Sequence, residues 1–294
     1  AGKDVTKLAP QERRVAMDFQ NYALYPHMTV SENIAYPLRV RGIAKAEQMQ
    51  RVKETSHRLR ISHLLSRMPS QISGGEQQRV AVARAMVQQP NVFLFDEPLS
   101  NLDARLRLEA RRFLRRIQKE LGITAVYVTH DQAEAMAMSD RVAVMKEGRL
   151  IQIGTPDEIY QKPAEVFVAG FVGNFPMNFL EGAAEAREEK IYFCADEFKL
   201  ALPDNLKVKP LEKLFLGIRP EHIELVKESG ADLIGAVEDI EPLGSELIVS
   251  VSVSGKSLLV RHTSRFDLRP SLKIGLKIPP ANLHLFNQDG KRVI

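Results

Sequence analysis

Two adjacent carboxylates, Asp96 and Glu97, close the apolar run Val92-Phe93-Leu94-Phe95. A buried strand with that ending delivers an acid pair to the end of a sheet, where one carboxylate can hold a metal and the other can polarise water. Upstream, Ser73-Gly74-Gly75-Glu76 has the spacing of a capping box that starts a helix. Its small residues leave backbone N–H groups open to an anion, and phosphate is the obvious one. His130 follows a second apolar run, Thr124 to Thr129, and Gln20 follows a third, Arg14 to Phe19. An imidazole there can stabilise charge that builds on phosphoryl oxygens, and a glutamine amide can ligate magnesium. Each residue also has a plain structural reading: a capped helix needs no nucleotide, and a histidine after a strand is commonly part of the packing.

Elements able to position these groups are legible in the pattern. Strands are expected over Arg14–Phe19, Val92–Asp96 and Thr124–Thr129, with helices over Val30–Arg41, Lys45–Leu65, Gly75–Gln88 and Asp103–Leu121. Strand, helix, strand is the alternation of a parallel sheet with crossover helices, whose chemistry gathers at the carboxyl ends of the strands. Arg141–Met145 and Arg149–Ile153 read as a hairpin turning at Glu147-Gly148, and Pro156–Tyr160 and Pro163–Phe171 as short helices. Beyond about Phe175 the pattern changes to short alternating runs: Lys190–Cys194, Phe215–Ile218, Gly235–Ile240, Glu246–Ser252 and Ser257–Val260. Separated by Gly, Pro and charged turns, they describe an all-β domain of the small-barrel kind.

Composition sets outer limits. The chain has 294 residues, 44% apolar and 27% charged, which is ordinary for a globular protein with room for two domains. No apolar run reaches the roughly eighteen residues of a membrane span, so a membrane role would be peripheral, and no secretory signal is visible. Cys194 is the one cysteine, which rules out an internal disulfide and suits a reducing compartment. With 41 basic and 37 acidic residues the net charge is +4, a mild bias and no nucleic-acid signature. The densest basic stretch, Arg105 to Lys119, puts Arg107, Arg111 and Arg115 on one helical stripe opposite Leu106, Ala110, Phe113, Leu114 and Ile117. That is a solvated face opposite a core face, or a surface for a phosphate-rich or acidic partner.

In order and spacing these pieces resemble the ABC transporter ATPases. Phe19-Gln20 is similar to their Q-loop, Ser73-Gly74-Gly75-Glu76-Gln77 to the signature loop, and Val92 to Glu97 to the Walker B strand. Ser100-Asn101-Leu102-Asp103 looks like the D-loop and Thr129-His130-Asp131 like the H-loop. Tyr22-Ala23-Leu24-Tyr25-Pro26-His27 and Leu216-Gly217-Ile218-Arg219-Pro220-Glu221 narrow the likeness to the ATPase subunits of maltose-type carbohydrate importers.

The resemblance implies an α/β P-loop NTPase (RecA-like) parallel sheet with a helical subdomain, followed by a C-terminal all-β OB-like domain. The implied division is 1–160 for the nucleotide-binding domain, with the helical subdomain at about 27–90, then a linker at 161–180 and the regulatory domain at 181–294. ATP and Mg2+ are the implied ligands. Asp96 and Gln20 would hold the metal, Glu97 would be the general base, and His130 would contact the transferring phosphoryl group. Ser73, Gly74, Gly75 and Glu76 would meet the nucleotide held by a second subunit, with Asp103 at the dimer interface. Partners would be a second copy or paired ATPase subunit, two membrane permease subunits and, indirectly, an extracytoplasmic solute-binding protein, with no nucleic acid. The place would be the cytoplasmic face of the membrane.

Departures from the family pattern are equally informative. No G-x-x-x-x-G-K-[ST] phosphate loop occurs in these residues. The sequence opens at Ala1, where a family member has already passed that loop, so an N-terminally incomplete chain, inactive alone, is expected. Glu76 stands where the family has glutamine, and should weaken nucleotide-driven closure by repelling the triphosphate. Asp18 stands where the family has an apolar residue; an unpaired buried carboxylate is costly, so a nearby cation or partial exposure is required. Among other readings, a chromosome-maintenance ATPase needs long heptad segments that are lacking. A regulator without ATPase activity would draw only on the missing loop. Nucleic-acid binding by the β domain lacks clustered aromatic and basic residues.

Overall fold

The structure, a computed structural model, describes every residue except 1, 188–189, 196–197, 203–212, 264–267 and 294. The chain forms two compact units, Ala1–Met138 and Ser139–Ile294.

In the first unit, β1 (Val15–Asp18), β2 (Val92–Asp96) and β3 (Thr124–Val128) form a parallel sheet with β2 central. Register pairs Met17 with Leu94 and Leu94 with Val126, so these three share a face, while Asp18, Phe95 and Tyr127 share the other. Ala16, Phe93 and Phe95 are buried with the helices. Met17, Val126 and Val128 stay exposed. An all-parallel sheet is normally covered on both faces; here one is bare.

The helices begin and end for local reasons. Helix α1 (Val30–Val40) is capped by Thr29, whose N and Oγ donate to Glu32 Oε2 at 2.8 and 2.9 Å. Helix α2 (Lys45–Arg58) stops short of the expected Leu65 because Arg60 turns left-handed, φ 58°. The turn lets Leu59, Ile61 and Leu64 all be buried, whereas a continuing helix would put Leu59 and Ile61 on opposite faces. Helix α3 (Gly74–Met86) is followed by β2. Helix α4 (Ala104–Leu121) buries Ala110, Phe113, Leu114 and Ile117 and ends on left-handed Gly122. Helix α5 (Gln132–Met138) is unforeseen in the periodicity, being only seven residues long.

The second unit opens with the hairpin β4 (Val142–Lys146) and β5 (Arg149–Gly154), turning through left-handed Glu147 and Gly148 as expected. After α6 (Pro156–Gln161) and α7 (Val166–Phe171) come two five-stranded antiparallel sheets. One runs in the order β10 (Glu224–Val226), β14 (Lys273–Lys277), β11 (Leu233–Pro242), β12 (Leu247–Val253), β13 (Lys256–His262). The other runs β15 (His284–Phe286), β9 (Lys213–Ile218), β6 (Asn178–Arg187), β7 (Lys190–Ala195), β8 (Phe198–Ala201). Both contribute to one buried cluster that includes Leu180, Phe193, Leu216, Val249, Val251 and Leu276. Strands β6, β8, β10, β14 and β15 have no counterpart in the sequence expectation.

Among the described residues of this unit three polar side chains are buried, Asn178, Arg219 and His284. Arg219 is fully buried; its Nη1 donates to Val172 O at 2.6 Å and its Nη2 to Tyr160 O at 2.7 Å, with the guanidinium 3.7 Å from the Tyr160 ring centre. His284 is buried with Nδ1 unpartnered. Desolvation first, then the positive Arg292, Arg219 and His222, lower its pKa from 6.5 to about 4. The folded unit thus keeps this imidazole neutral where the unfolded chain protonates it. The stability it contributes is present above about pH 6.5 and is lost as pH falls toward 4. In urea titrations at pH 7.5 and 4.5, wild type should lose stability at roughly 1.4 kcal/mol per pH unit more, at its steepest, than His284→Gln. Equal losses in the two proteins would rule out His284 as the source.

Candidate functional site

The site gathers at the carboxyl ends of β1, β2 and β3. Glu97 follows β2 directly with left-handed backbone, φ 44°, a conformation that costs a residue with a Cβ and marks a held position. Its N–H donates to Val128 O on the neighbouring strand at 3.0 Å, and its own carbonyl accepts from Ser100 Oγ at 2.9 Å. Its side chain is thereby aimed, and two groups converge on one of its oxygens. His130 Nδ1 lies 3.1 Å from Glu97 Oε2, and Gln20 Nε2 donates to the same oxygen at 3.3 Å. Three expected residues, brought from three strand ends, therefore share a single atom. His130 is 73% exposed, so its imidazole is not a packing element.

Asp96 precedes this cluster as the last residue of β2, and by alternation it belongs to the face of Leu94, the bare one. Among the described residues no group of three or more His, Cys, Asp or Glu could hold a metal unaided. Asp96 offers a carboxylate and Gln20 an amide oxygen, the oxygen donors that a hard cation takes.

Ser73 to Glu76 form a separate group at the start of α3. Ser73 donates from N and from Oγ to Glu76 Oε2, both at 2.8 Å. Those two bonds, with lesser help from His63 and Arg67, hold the Glu76 carboxyl below the usual glutamate range, so it is ionised at neutral pH. A Cβ at Gly74 would lie 3.5 Å from Leu102 and one at Gly75 3.9 Å from Leu106, which are ordinary contacts, and neither glycine has left-handed φ. Packing does not demand glycine at either position. Asp103 is exposed and caps α4, Oδ1 accepting from Leu106 N at 3.0 Å.

Around these groups lie contacts that the sequence did not foretell, and one buried acid, Glu134, that it did not single out. Asn101 Nδ2 donates to Gln20 O at 2.8 Å. Glu134, 3% exposed, accepts from Tyr127 Oη at 2.8 Å and from Thr129 Oγ at 3.0 Å, and Asp131 Oδ1 accepts from Glu134 N at 3.1 Å. Arg107 and Arg111 approach Asp131 at 3.7 and 4.0 Å, so part of the basic stripe on α4 serves to steady the residues flanking His130. Asp131 with Glu134 three residues on has capping-box spacing, a signal that could have found α5. Asp18 is 1% exposed and neither of its oxygens has a hydrogen bond; burial raises its pKa to about 7 against the opposing charge of Arg84. Arg84 is the nearby cation, acting by charge and without a hydrogen bond to Asp18, and the alternative of partial exposure does not hold.

Comparison with known proteins gives the family. The ABC transporter family model matches residues 1–100, the MalK OB fold domain 176–223 and the TOBE domain 216–286. The chain is 45% identical to the sn-glycerol-3-phosphate import ATP-binding protein UgpC 1 of Rhizobium johnstonii, over 100% of this chain and 79% of that protein. It is 44% identical to the trehalose/maltose import ATP-binding protein MalK of Thermococcus litoralis, covering 97% and 79% of the two chains. Against the sulfoquinovosyl glycerol transport ATP-binding protein SmoE of Agrobacterium fabrum the identity is 42%, over 99% and 81%. At that identity across nearly its whole length, the chain belongs to the ATP-binding subunits of the ABC transporter family.

Proposed function

We propose that the protein is the energy-coupling ATPase subunit of an ABC importer for a carbohydrate or a glycerol phosphate. The observation that carries this is the convergence of Gln20 and His130 on Glu97 Oε2 beside Asp96. Glu97 acts as general base: its Oε2 takes a proton from the attacking water, which it also orients toward the γ-phosphorus. Gln20 and His130 hold that oxygen in one position, and His130, exposed on its far side, meets the charge that builds on the phosphoryl oxygens. Asp96 and the Gln20 amide are the protein ligands for Mg2+. Bound with ATP, the ion would neutralise charge on the phosphates.

The rest of the site comes from outside these residues. A glycine-rich lysine loop is not among them, and the bare face carrying Met17, Leu94 and Val126 is of the right kind to receive such a loop and its helix. The 294-residue chain by itself is accordingly proposed to be inactive, while the N–H groups of Gly74 and Gly75 remain able to complete a site held by another subunit. Two subunits then meet head to tail, with Asp103 near the seam, and ATP drives their closure. Membrane contact is through two permease subunits on the cytoplasmic face, and the transported solute is delivered to those by an extracytoplasmic binding protein. No helix among the described residues is long and apolar enough to cross a membrane, which fits a peripheral subunit.

Two substitutions test this. In the assembled importer, Glu97→Gln keeps shape and hydrogen bonding but removes the base, and is expected to lower turnover by about 100-fold or more while ATP binding survives. Turnover within twofold of wild type would refute the role. Glu76→Gln retains the cap and removes a charge that faces the triphosphate. It is expected to lower the ATP concentration for half-maximal subunit association by about 3- to 10-fold. An unchanged midpoint in light scattering would show that the Glu76 charge does not oppose closure.

A further inference from the structure

Tyr22 and Ala23, just past Gln20, both hold left-handed backbone, φ 60° and 45°. Residues with a Cβ adopt that conformation at a cost and rarely in succession. It persists only where the surroundings impose it, and such places cluster where a loop must be held for function. The imposing group here is Arg84 on α3. Its Nη1 donates to Ala23 O at 2.6 Å and its Nη2 to Tyr22 O at 2.7 Å, one nitrogen of the fork to each strained residue. The guanidinium also lies 5.7 Å from the centre of the Tyr25 ring. A planar fork places one nitrogen on each of two successive carbonyls in a fixed geometry, whereas an ammonium offers a single nitrogen with rotating donors on a flexible stem. Buried Asp18 on β1 lies close enough for its negative charge to favour this cation against the cost of burial, though no hydrogen bond joins the two.

The far side of the loop is fixed as well. Buried Asn33 on α1 accepts from Tyr25 N at 2.8 Å and donates to Tyr25 O and Met28 O at 3.1 and 3.0 Å. Helix α3 also reaches the segment after Glu97, where Gln78, 1% exposed, donates to Pro98 O at 3.3 Å. One helix therefore grips the backbone beyond both Gln20 and Glu97, and the same helix starts with Gly74 and Gly75.

We propose that Arg84 is a positioning residue for the ATPase reaction: by clamping Tyr22 and Ala23 to α3 it sets Gln20 against Glu97 and makes the loop and the helix move as one body. An anion seated at the start of α3 by the other subunit is then felt at Gln20 of this one. The coupling to hydrolysis rests on the proposed ATPase role; the clamp itself does not.

Arg84→Lys tests it, because it keeps a cation facing Asp18 yet replaces the rigid two-nitrogen fork with one nitrogen on a flexible stem. A second variant, Asp18→Val with Arg84→Met, removes charge and countercharge together, so that folding is preserved without a buried lone charge. In the 294-residue chain, amide exchange of peptides covering residues 19–28 should quicken about tenfold in both variants, while the β domain stays at wild-type rates. In the assembled importer kcat should fall about tenfold with KM for ATP within twofold, since the loss is of geometry at the reacting centre and not of nucleotide binding. Unchanged exchange over 19–28 overturns the clamp, and unchanged kcat in a variant whose loop has loosened overturns its positioning role. A wild-type importer without ATPase activity would contradict the functional reading instead, and the exchange rates would still decide the clamp.

Discussion

A single carboxylate oxygen, Glu97 Oε2, is the point at which the three strand ends of the first unit meet. It accepts from Gln20 and stands beside His130, and those residues come from the ends of different strands. Such a meeting is available only in a parallel sheet, where every strand ends on the same edge. The order β1-β2-β3 puts the carboxylate on the central strand and its two neighbours on the flanks. The strained backbone at Glu97 is the cost of turning the side chain across that edge, offset by its bond to Val128 O and by the Ser100 contacts.

The helices serve this edge in two ways. Helix α4 buries one apolar stripe to hold β2 and β3, and turns Arg107 and Arg111 toward Asp131, the residue after His130. Helix α3 holds the loops beyond Gln20 and Glu97 through Arg84 and Gln78, and presents at its start a capped end with unencumbered glycines. The arrangement joins the part that another subunit would engage to the part that would do chemistry. In the second unit the buried Arg219 plays a comparable structural part, gathering carbonyls of Tyr160 and Val172.

The residues that meet at the sheet edge, Gln20, Glu97 and His130, were legible in the sequence because each sits at a transition between an apolar run and a polar turn, and such transitions leave a local signature. Three parallel strands, four of the longer helices and the hairpin at Glu147-Gly148 follow from the same periodicities. What escaped was held by distant contact. Arg84 lies 61 and 62 residues from the carbonyls it binds, and although its place inside the apolar run Val80 to Val87 sets it apart from a surface arginine, nothing nearby names its partners. Asp18 was conspicuous as a misfit, but its cation could be named only once α3 was seen against β1. Strands such as β10 and β15, three residues each, are too short for alternation to register. Helix α2 ran past its true end in the periodic reading because the left-handed turn at Arg60 is a tertiary solution for burying Leu59 and Ile61 together.

The central claim is that Gln20 and His130 act through one atom. The most direct measurement is a double-mutant cycle on single-turnover ATP hydrolysis by the assembled importer, with Gln20→Ala, His130→Ala and both together. If both residues work by holding Glu97 Oε2, the double variant should be no slower than about threefold below the worse single variant, because the first loss already frees the carboxylate. A double variant slower by the product of the two single losses would mean that they act on separate atoms, and the shared-oxygen account would be wrong.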